Sequence, residues 1–134
     1  MAIQIHYWTS DVERLLAHYV DVLSFELVYR QPDDRPADFC ILKLGDAQIM
    51  IAETPGTEIA ADRNDGRLLG KVVPRIGHPG PISVYIGVDD VDAYHRLITP
   101  AGADVIEPIW DAPWGLRQFS VLDPDGHLTT FHAA

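Results

Sequence analysis

The sequence contains a single cysteine, Cys40, among its 134 residues. One thiol cannot form an intrachain disulfide, which excludes a disulfide-stabilised secreted scaffold. No window approaches the roughly 18 consecutive apolar residues that a membrane-spanning helix requires. The opening residues, MAIQIHYWTSD, also lack the basic and apolar regions of a signal peptide. We therefore expect a cytoplasmic protein that does not contact a membrane.

Basic residues are scarce as well. Lysine and arginine total 10 against 20 aspartates and glutamates, which gives a formal net charge of −10. Nucleic acids and anionic membrane surfaces are bound by clustered Lys and Arg, so we expect neither as a partner. Both halves of the chain carry the acid excess. It indicates a solubilising surface or, as a sharper hypothesis, the attraction of a cationic ligand.

The length and composition are those of an ordinary folded domain. Hydrophobic residues make up 47% of the chain, and its 134 residues fall within the commonest domain size. A chain of this length buries enough apolar surface to form a core without covalent cross-links. We predict a single domain over residues 1–134.

Hydrophobic periodicity in residues 1–53 predicts a strand, a helix and three further strands. Apolar and polar residues alternate from residue 3 to residue 8, as in a half-buried strand. From residue 12 to residue 23 the period becomes that of an amphipathic helix, and Ser10 with Glu13 has capping-box spacing. Three strand-like segments follow at residues 25–29, 39–44 and 48–52.

Turn-forming residues are concentrated between residues 54 and 80. Proline, glycine and asparagine recur there, with at most one short helical stretch at residues 58–62. We predict that residues 54–80 form a linker. Its role is not evident from the sequence.

Residues 81–134 repeat the order of elements in residues 1–53. A strand at 82–88 precedes a helix that begins at Asp89 or Asp90, and strands follow at 105–109, 116–122 and 128–132. An offset of 79 superposes Asp11 on Asp90, and an offset of 80 superposes Phe39 on Phe119. We predict an α+β fold in which two βαβββ repeats, 1–53 and 81–134, form a cupped, barrel-like cleft suited to a ligand.

Two segments carry a resemblance to a known family. Residues 11–27 are similar to a D-x-x-x-x-x-x-F-Y-x-x-x-L-G-F pattern, with Ser24 in place of the usual glycine. Residues 113–127, PWGLRQFSVLDPDGH, are similar to a P-W-G-x-R-x-F-x-x-x-D-P-x-G-N signature, with His127 in place of asparagine. The chain thus resembles the vicinal oxygen chelate (glyoxalase/bleomycin resistance/dioxygenase) superfamily, and the bleomycin-resistance proteins in particular.

The resemblance directs attention to metal ligands, because many members of this superfamily bind a divalent cation with the first and last strands of each repeat. The matching positions here hold Gln4, Met50, Ser83 and Thr130. Only Gln4 is a plausible ligand for a hard cation. We therefore expect no metal and no other cofactor.

A displaced metal site is the alternative to this expectation. His6 and His132 share the alternation faces of the usual positions, and Glu53 follows the strand that contains Met50. Three such side chains suffice for an open catalytic site. Glu53, however, is an odd number of residues from Met50 and should point to the other face.

The resemblance also implies an aromatic ligand site. In bleomycin-resistance proteins, the tryptophan of P-W-G and a phenylalanine at the start of the third strand sandwich a planar group. The corresponding residues are Trp114 and Phe39. Weaker candidates for ligand binding are Trp8, His6, Trp110 and Asp111. We identify no catalytic residue, and Cys40 lies in an apolar segment where a buried, inert thiol is expected.

The leading hypothesis is a metal-free protein that sequesters a planar, cationic small molecule in clefts between the two chains of a homodimer. The resemblance implies the dimer, although not whether its strands or modules are exchanged. This hypothesis favours binding over catalysis. The alternatives are a metal-dependent enzyme of the glyoxalase or dioxygenase kind and a relative that binds an unrelated metabolite.

Overall fold

In the part of the chain that the structure describes, eight strands form two four-stranded sheets, one from each half of the chain. The computed structural model describes residues 3–54 and 67–134. The helical stretch predicted at 58–62 and the turns predicted between residues 55 and 66 lie outside the described residues. No helix in the described ranges is long and apolar enough to cross a membrane.

The first sheet has the strand order β1-β4-β3-β2. Its strands are β1 (Ile5–Thr9), β2 (Glu26–Gln31), β3 (Phe39–Leu44) and β4 (Ala47–Glu53). β1 runs parallel to β4, and the other two pairs are antiparallel. The tight turn between β3 and β4 contains Gly45 at φ 56°, a conformation that glycine adopts easily.

The second sheet repeats this arrangement with the order β5-β8-β7-β6. Its strands are β5 (Ser83–Gly87), β6 (Asp104–Asp111), β7 (Arg117–Leu122) and β8 (Leu128–Ala133). β5 and β8 are parallel and the remaining pairs antiparallel. The predicted α+β fold of two βαβββ repeats is confirmed, although the described strands stay in two separate sheets and do not close into a barrel.

Each repeat has one helix between its first and second strands. α1 (Val12–Ala17) continues into a π-helical turn, His18–Val22, and its counterpart in the second repeat spans Val91–Ile98. The Asp11 carboxylate accepts a hydrogen bond from the Arg14 amide at 3.1 Å. Asp11, which directly precedes the first helical residue, is therefore the N-cap, and the prediction of a Ser10 capping box is wrong.

The linker contains more helix than the sequence predicts. A helix, α2, spans Arg67–Val72 and a 3₁₀ turn follows at Val73–Arg75. Gly70 and Pro74 obscure this helix in the sequence, because both disfavour a helix interior. The helix of the second repeat, Val91–Ile98, is named α3.

The two repeats superpose at an offset of 79 in the third strand rather than 80. Trp8, Ala52 and Phe39 form one row across the first sheet, and Gly87, His132 and Gln118 form the matching row across the second. Phe39 therefore corresponds to Gln118 and not to Phe119. A slip of one residue reverses the face of every side chain in a strand, and Phe119 indeed points to the opposite, fully buried face.

The repeat helices α1 and α3 each pack on one face of their own sheet. The apolar residues of the two repeats join into one core cluster. Contacts between the repeats also include polar ones. Tyr19 donates a hydrogen bond to Asp123 Oδ2 at 2.8 Å, and Tyr94 donates one to the Leu23 carbonyl at 2.5 Å. The sheet faces opposite the helices are called the first and second open faces below, and five of the six candidate site residues, all except Asp111, lie at them.

Candidate functional site

The first open face presents aromatic side chains. Phe39 and Trp8 lie in one row, separated by Ala52 on the strand between them. Two strand spacings amount to about 10 Å, and the small alanine leaves a shallow depression between the rings. The His6 and Trp8 rings are 4.7 Å apart edge to face, and the Tyr29 and Phe39 rings are 6.2 Å apart. Three of these residues, Phe39, Trp8 and His6, were candidates from the sequence.

Trp110 and Trp114 lie at the second open face, whereas Asp111, the next residue after Trp110, points to the helix side, where Arg117 joins it to α3. Trp114 lies in a tight turn between β6 and β7, where the Ala112 amide donates to the Leu116 carbonyl at 2.7 Å. Gly115 has φ 92° in this turn, which explains the need for glycine after the tryptophan. The turn leaves Trp114 58% exposed, with its ring 5.6 Å from that of Trp110.

A chain of hydrogen bonds connects Trp114 to a carboxylate. The indole N–H of Trp114 donates to Gln118 Oε1 at 3.0 Å, and Gln118 Nε2 donates to Glu107 Oε1 at 3.1 Å. The Ser120 hydroxyl donates to the same Glu107 oxygen at 2.9 Å. Gln118 is only 2% exposed, so this arrangement is held rigidly. Glu107 has no cationic partner in the part of the chain that the structure describes.

The sequence did not single out Glu107. β6 is irregular on both sides of it, between Val105 and Glu107 and again between Glu107 and Trp110. Because the alternation is broken twice, the pattern of β6 does not reveal which face Glu107 occupies. The available signal is the pair of polar residues, Gln118 and Ser120, that alternates with apolar residues in β7.

Asp111, by contrast, is already paired. Its carboxylate lies 3.2 Å from the Arg117 guanidinium, which also forms a bidentate hydrogen bond with Asp92 on α3. The hydrogen bond from Arg117 lowers the pKa of Asp92. Arg117, the arginine of the P-W-G-x-R motif, thus ties the start of β7 to α3 and neutralises Asp111.

The six candidate residues do not form one cluster within a chain. Phe39, Trp8 and His6 lie on the first sheet, whereas Trp114, Trp110 and Asp111 lie on the second. Phe39 and Trp114 make no ring contact in the described structure. An aromatic sandwich between them requires a second copy of the chain.

Three of the four usual metal positions, all except Gln4, have unsuitable donors. Thr130 is engaged by two other hydroxyls, Ser83 at 3.0 Å and Ser120 at 2.7 Å, and Met50 offers a thioether. Among residues 3–54 and 67–134, no three His, Cys, Asp or Glu side chains lie close enough to hold a metal ion. The alternative site of His6, Glu53 and His132 is therefore not assembled within one chain.

A pocket of about 240 Å³ lies at the junction of the two repeats. It is lined by residues of β1, of the linker, of β5 and of the turn before β8. Of the six candidates, only His6 and Trp8 line it. His127, also in its wall, stacks on Tyr7 with ring centroids 3.8 Å apart.

His127 belongs to a buried cluster around Asp123. Its Nδ1 lies 2.6 Å from Asp123 Oδ2, which also accepts the Tyr19 hydroxyl. Burial, and then the charge of Asp123, raises the pKa of Tyr19 well above its ordinary value. The same two effects raise the pKa of Tyr7 to about 12. Both tyrosines therefore remain protonated donors near neutral pH.

Comparison with known proteins agrees with this architecture. The model of the Glyoxalase/Bleomycin resistance protein/Dioxygenase superfamily matches residues 3–131. A bleomycin resistance protein of Geobacillus stearothermophilus is 27% identical over 125 residues, which cover 91% of this chain and 88% of that protein.

Solved structures are similar over the whole length. TioX from Micromonospora sp. ML1 is 29% identical with a TM-score of 0.75, over 100% of this chain and 96% of that one. A bleomycin-binding protein in complex with bleomycin shares the fold at 17% identity and a TM-score of 0.66, over 100% and 98% of the two chains. The chain belongs to the Glyoxalase/Bleomycin resistance protein/Dioxygenase superfamily.

Proposed function

We propose that this protein is a metal-free, cytoplasmic binding protein that sequesters a planar, cationic small molecule without chemical turnover. The observation that carries the proposal is the hydrogen-bonded chain from Trp114 through Gln118 to Glu107. It links an exposed aromatic ring, through Gln118, to a carboxylate that has no cationic partner among the described residues, and recognition of a planar cation uses both groups. The similarity to bleomycin resistance proteins supports the same ligand class.

The proposed ligand cleft is formed by two copies of the chain. Trp114 of one copy faces Phe39 of the other, because the two residues lie on different sheets of one chain. Each copy is a single domain over residues 1–134, with repeats 1–53 and 81–134. Stacking on two faces contributes about 0.5–1.5 kcal/mol per aromatic pair beyond area burial.

Titration with bleomycin by isothermal calorimetry tests this proposal. We expect Trp114→Ala to weaken binding by about tenfold or more, since a stacking face is lost. Glu107→Gln removes the free charge and retains the acceptor oxygen, so a smaller loss of about fivefold is expected.

Asp111→Asn serves as the matched control for Glu107→Gln. Asp111 already forms an ion pair with Arg117, so its substitution should change affinity by less than about twofold. Absence of bleomycin binding would refute this ligand, and equal losses from the two acid-to-amide variants would refute the role of Glu107. Stoichiometric zinc, nickel, manganese or iron in the purified protein would refute the metal-free state.

A further inference from the structure

The pocket at the junction of the repeats follows the free edges of the two sheets. β1 and β5 are the terminal strands of their sheets. His6, Tyr7 and Trp8 all line the pocket, although consecutive strand residues point to opposite faces. The pocket therefore runs along the edge of β1 rather than over one face, with Val84 of β5 on the other side.

The linker forms another wall of this edge pocket. Val72 at the end of α2, Arg75 in the 3₁₀ turn and Ile76 after it all line the pocket. The edges of the sheets alone would leave an open groove. The described part of the linker, which had no evident role in the sequence, therefore contributes to a binding site.

The polar lining of the edge pocket is basic. Among the described residues that line it, the ionisable nitrogen-bearing side chains are Arg75, His6 and His127, and none is Asp or Glu. Arg75 is exposed and donates to the Lys71 carbonyl, and it forms no ion pair with a described carboxylate. Although the whole chain has a net charge of −10, the side chains that line this pocket favour an anion.

His127 is oriented for a ligand. Stacking on Tyr7 and the contact between Nδ1 and Asp123 fix the ring, so Nε2 is the nitrogen left for a further partner. Nε2 makes no hydrogen bond with any described residue. The Asp123 charge reaches the pocket wall, since it raises the pKa of Tyr7 there, and Arg75 is therefore the group that favours an anion.

The size of the edge pocket limits the ligand. Its volume of about 240 Å³ exceeds the roughly 150 Å³ that holds benzene in an apolar cavity. It is smaller than the roughly 300–1,000 Å³ of sites for drug-sized molecules. One ring with a short acidic substituent fits these limits.

We propose that the edge pocket binds a small aromatic carboxylate. The carboxylate accepts hydrogen bonds from Arg75 and from Nε2 of the His127 imidazolium, in which both ring nitrogens donate. The ring lies against Trp8 and the aliphatic side chains of Ile76 and Val84. This site is built within one chain and selects the opposite charge from the cleft described under Proposed function. It stands independently of that proposal.

Benzoate, benzamide and benzamidine are suitable probes, because they share one ring and differ in charge. The three indole N–H signals of a ¹⁵N-labelled sample, assigned by Trp→Phe variants, report separately on Trp8, Trp110 and Trp114. We expect benzoate to shift the Trp8 signal with an affinity at least about tenfold above that of benzamide or benzamidine.

Arg75→Gln should weaken benzoate binding by about tenfold and leave benzamide binding unchanged. Arg96→Gln, an exposed arginine on α3, is the matched control and should have no effect. Benzamidine binding as tight as benzoate, equal effects of the two arginine variants, or no Trp8 shift at about 5 mM benzoate would overturn the proposal.

Trp114→Ala separates the two proposed sites. It should abolish most bleomycin affinity and leave the benzoate-induced shift of Trp8 unchanged. Loss of the benzoate shift in Trp114→Ala would place benzoate in the aromatic cleft and overturn the edge pocket. The proposal that the aromatic cleft binds bleomycin would not be contradicted by that result.

Discussion

At the scale of single residues, His18 has surroundings that disfavour its charged form. Its Nε2 is buried without a hydrogen-bond partner in the described structure. Burial, the largest effect, lowers the pKa of His18 below its ordinary value of 6.5, while Asp123 acts in the opposite direction and Arg14 in the same one. The folded state therefore binds a proton at His18 less readily than the unfolded chain does.

This difference predicts a loss of stability in acid. As the pH falls from about 7 to about 5, protonation of His18 favours the unfolded chain. His18→Gln should reduce the fall in the urea-unfolding midpoint over this range, and His78→Gln, on an exposed loop, controls for removal of an imidazole. An unchanged fall in His18→Gln would contradict the expectation.

At the scale of elements, the two helices begin in the same way. Asp11 and Asp90, 79 residues apart, each cap a helix by accepting the amide three residues on, in the second case Ala93 at 3.0 Å. The prediction of a helix start at Asp89 or Asp90 includes the observed cap, because capping depends on neighbouring residues, whereas the first cap was predicted wrongly at Ser10. The correspondence between β3 and β7 in the two repeats could not be predicted, because few identical residues distinguish an offset of 79 from one of 80.

The cap of α3 has a direct test. Asp90→Ala should lower the free energy of unfolding by about 1 kcal/mol, since the Ala93 amide loses its acceptor. Asp89→Ala changes a neighbouring exposed carboxylate that makes no capping bond, and should have little effect. Urea denaturation measures both, and equal losses would argue against capping as the cause.

At the scale of the whole molecule, β2 and β6, which end their sheets opposite β1 and β5, leave apolar side chains exposed. Val28 on β2 is 50% exposed and lies between Leu27 and Tyr29, which are also exposed. In the second sheet, Ile106 on the equivalent strand β6 is likewise exposed. Apolar edge strands of this kind favour pairing with another chain.

We therefore expect sedimentation equilibrium to give twice the chain mass of 14.9 kDa. Val28→Glu should shift the protein toward the monomer, because it places a charge on the proposed edge contact. Leu97→Glu, which is 57% exposed on α3, is the matched control and should remain dimeric. A monomeric native protein would refute the homodimer. A dimer that tolerates both variants would refute the edge contact.

The two proposed sites also differ in the sign of the charge that they present to a ligand. The net charge of −10 suits a cationic ligand, and Glu107, which is linked to Trp114 through Gln118, is a specific acid for it. Arg75 and His127 provide the opposite preference in the edge pocket. Net charge alone cannot distinguish these surfaces, because recognition depends on the few groups that face a ligand.

The sequence by itself determined the order of strands and helices within the two repeats, the duplication and the family motif around Trp114, but not the linker helix α2. Hydrophobic periodicity and turn chemistry act over a few residues, so they can be predicted directly. Only the tertiary structure decided the face of Glu107, the pairing of Asp111 with Arg117 and the edge pocket. These features depend on contacts between strands and across the linker, and no local pattern specifies which distant residues come together.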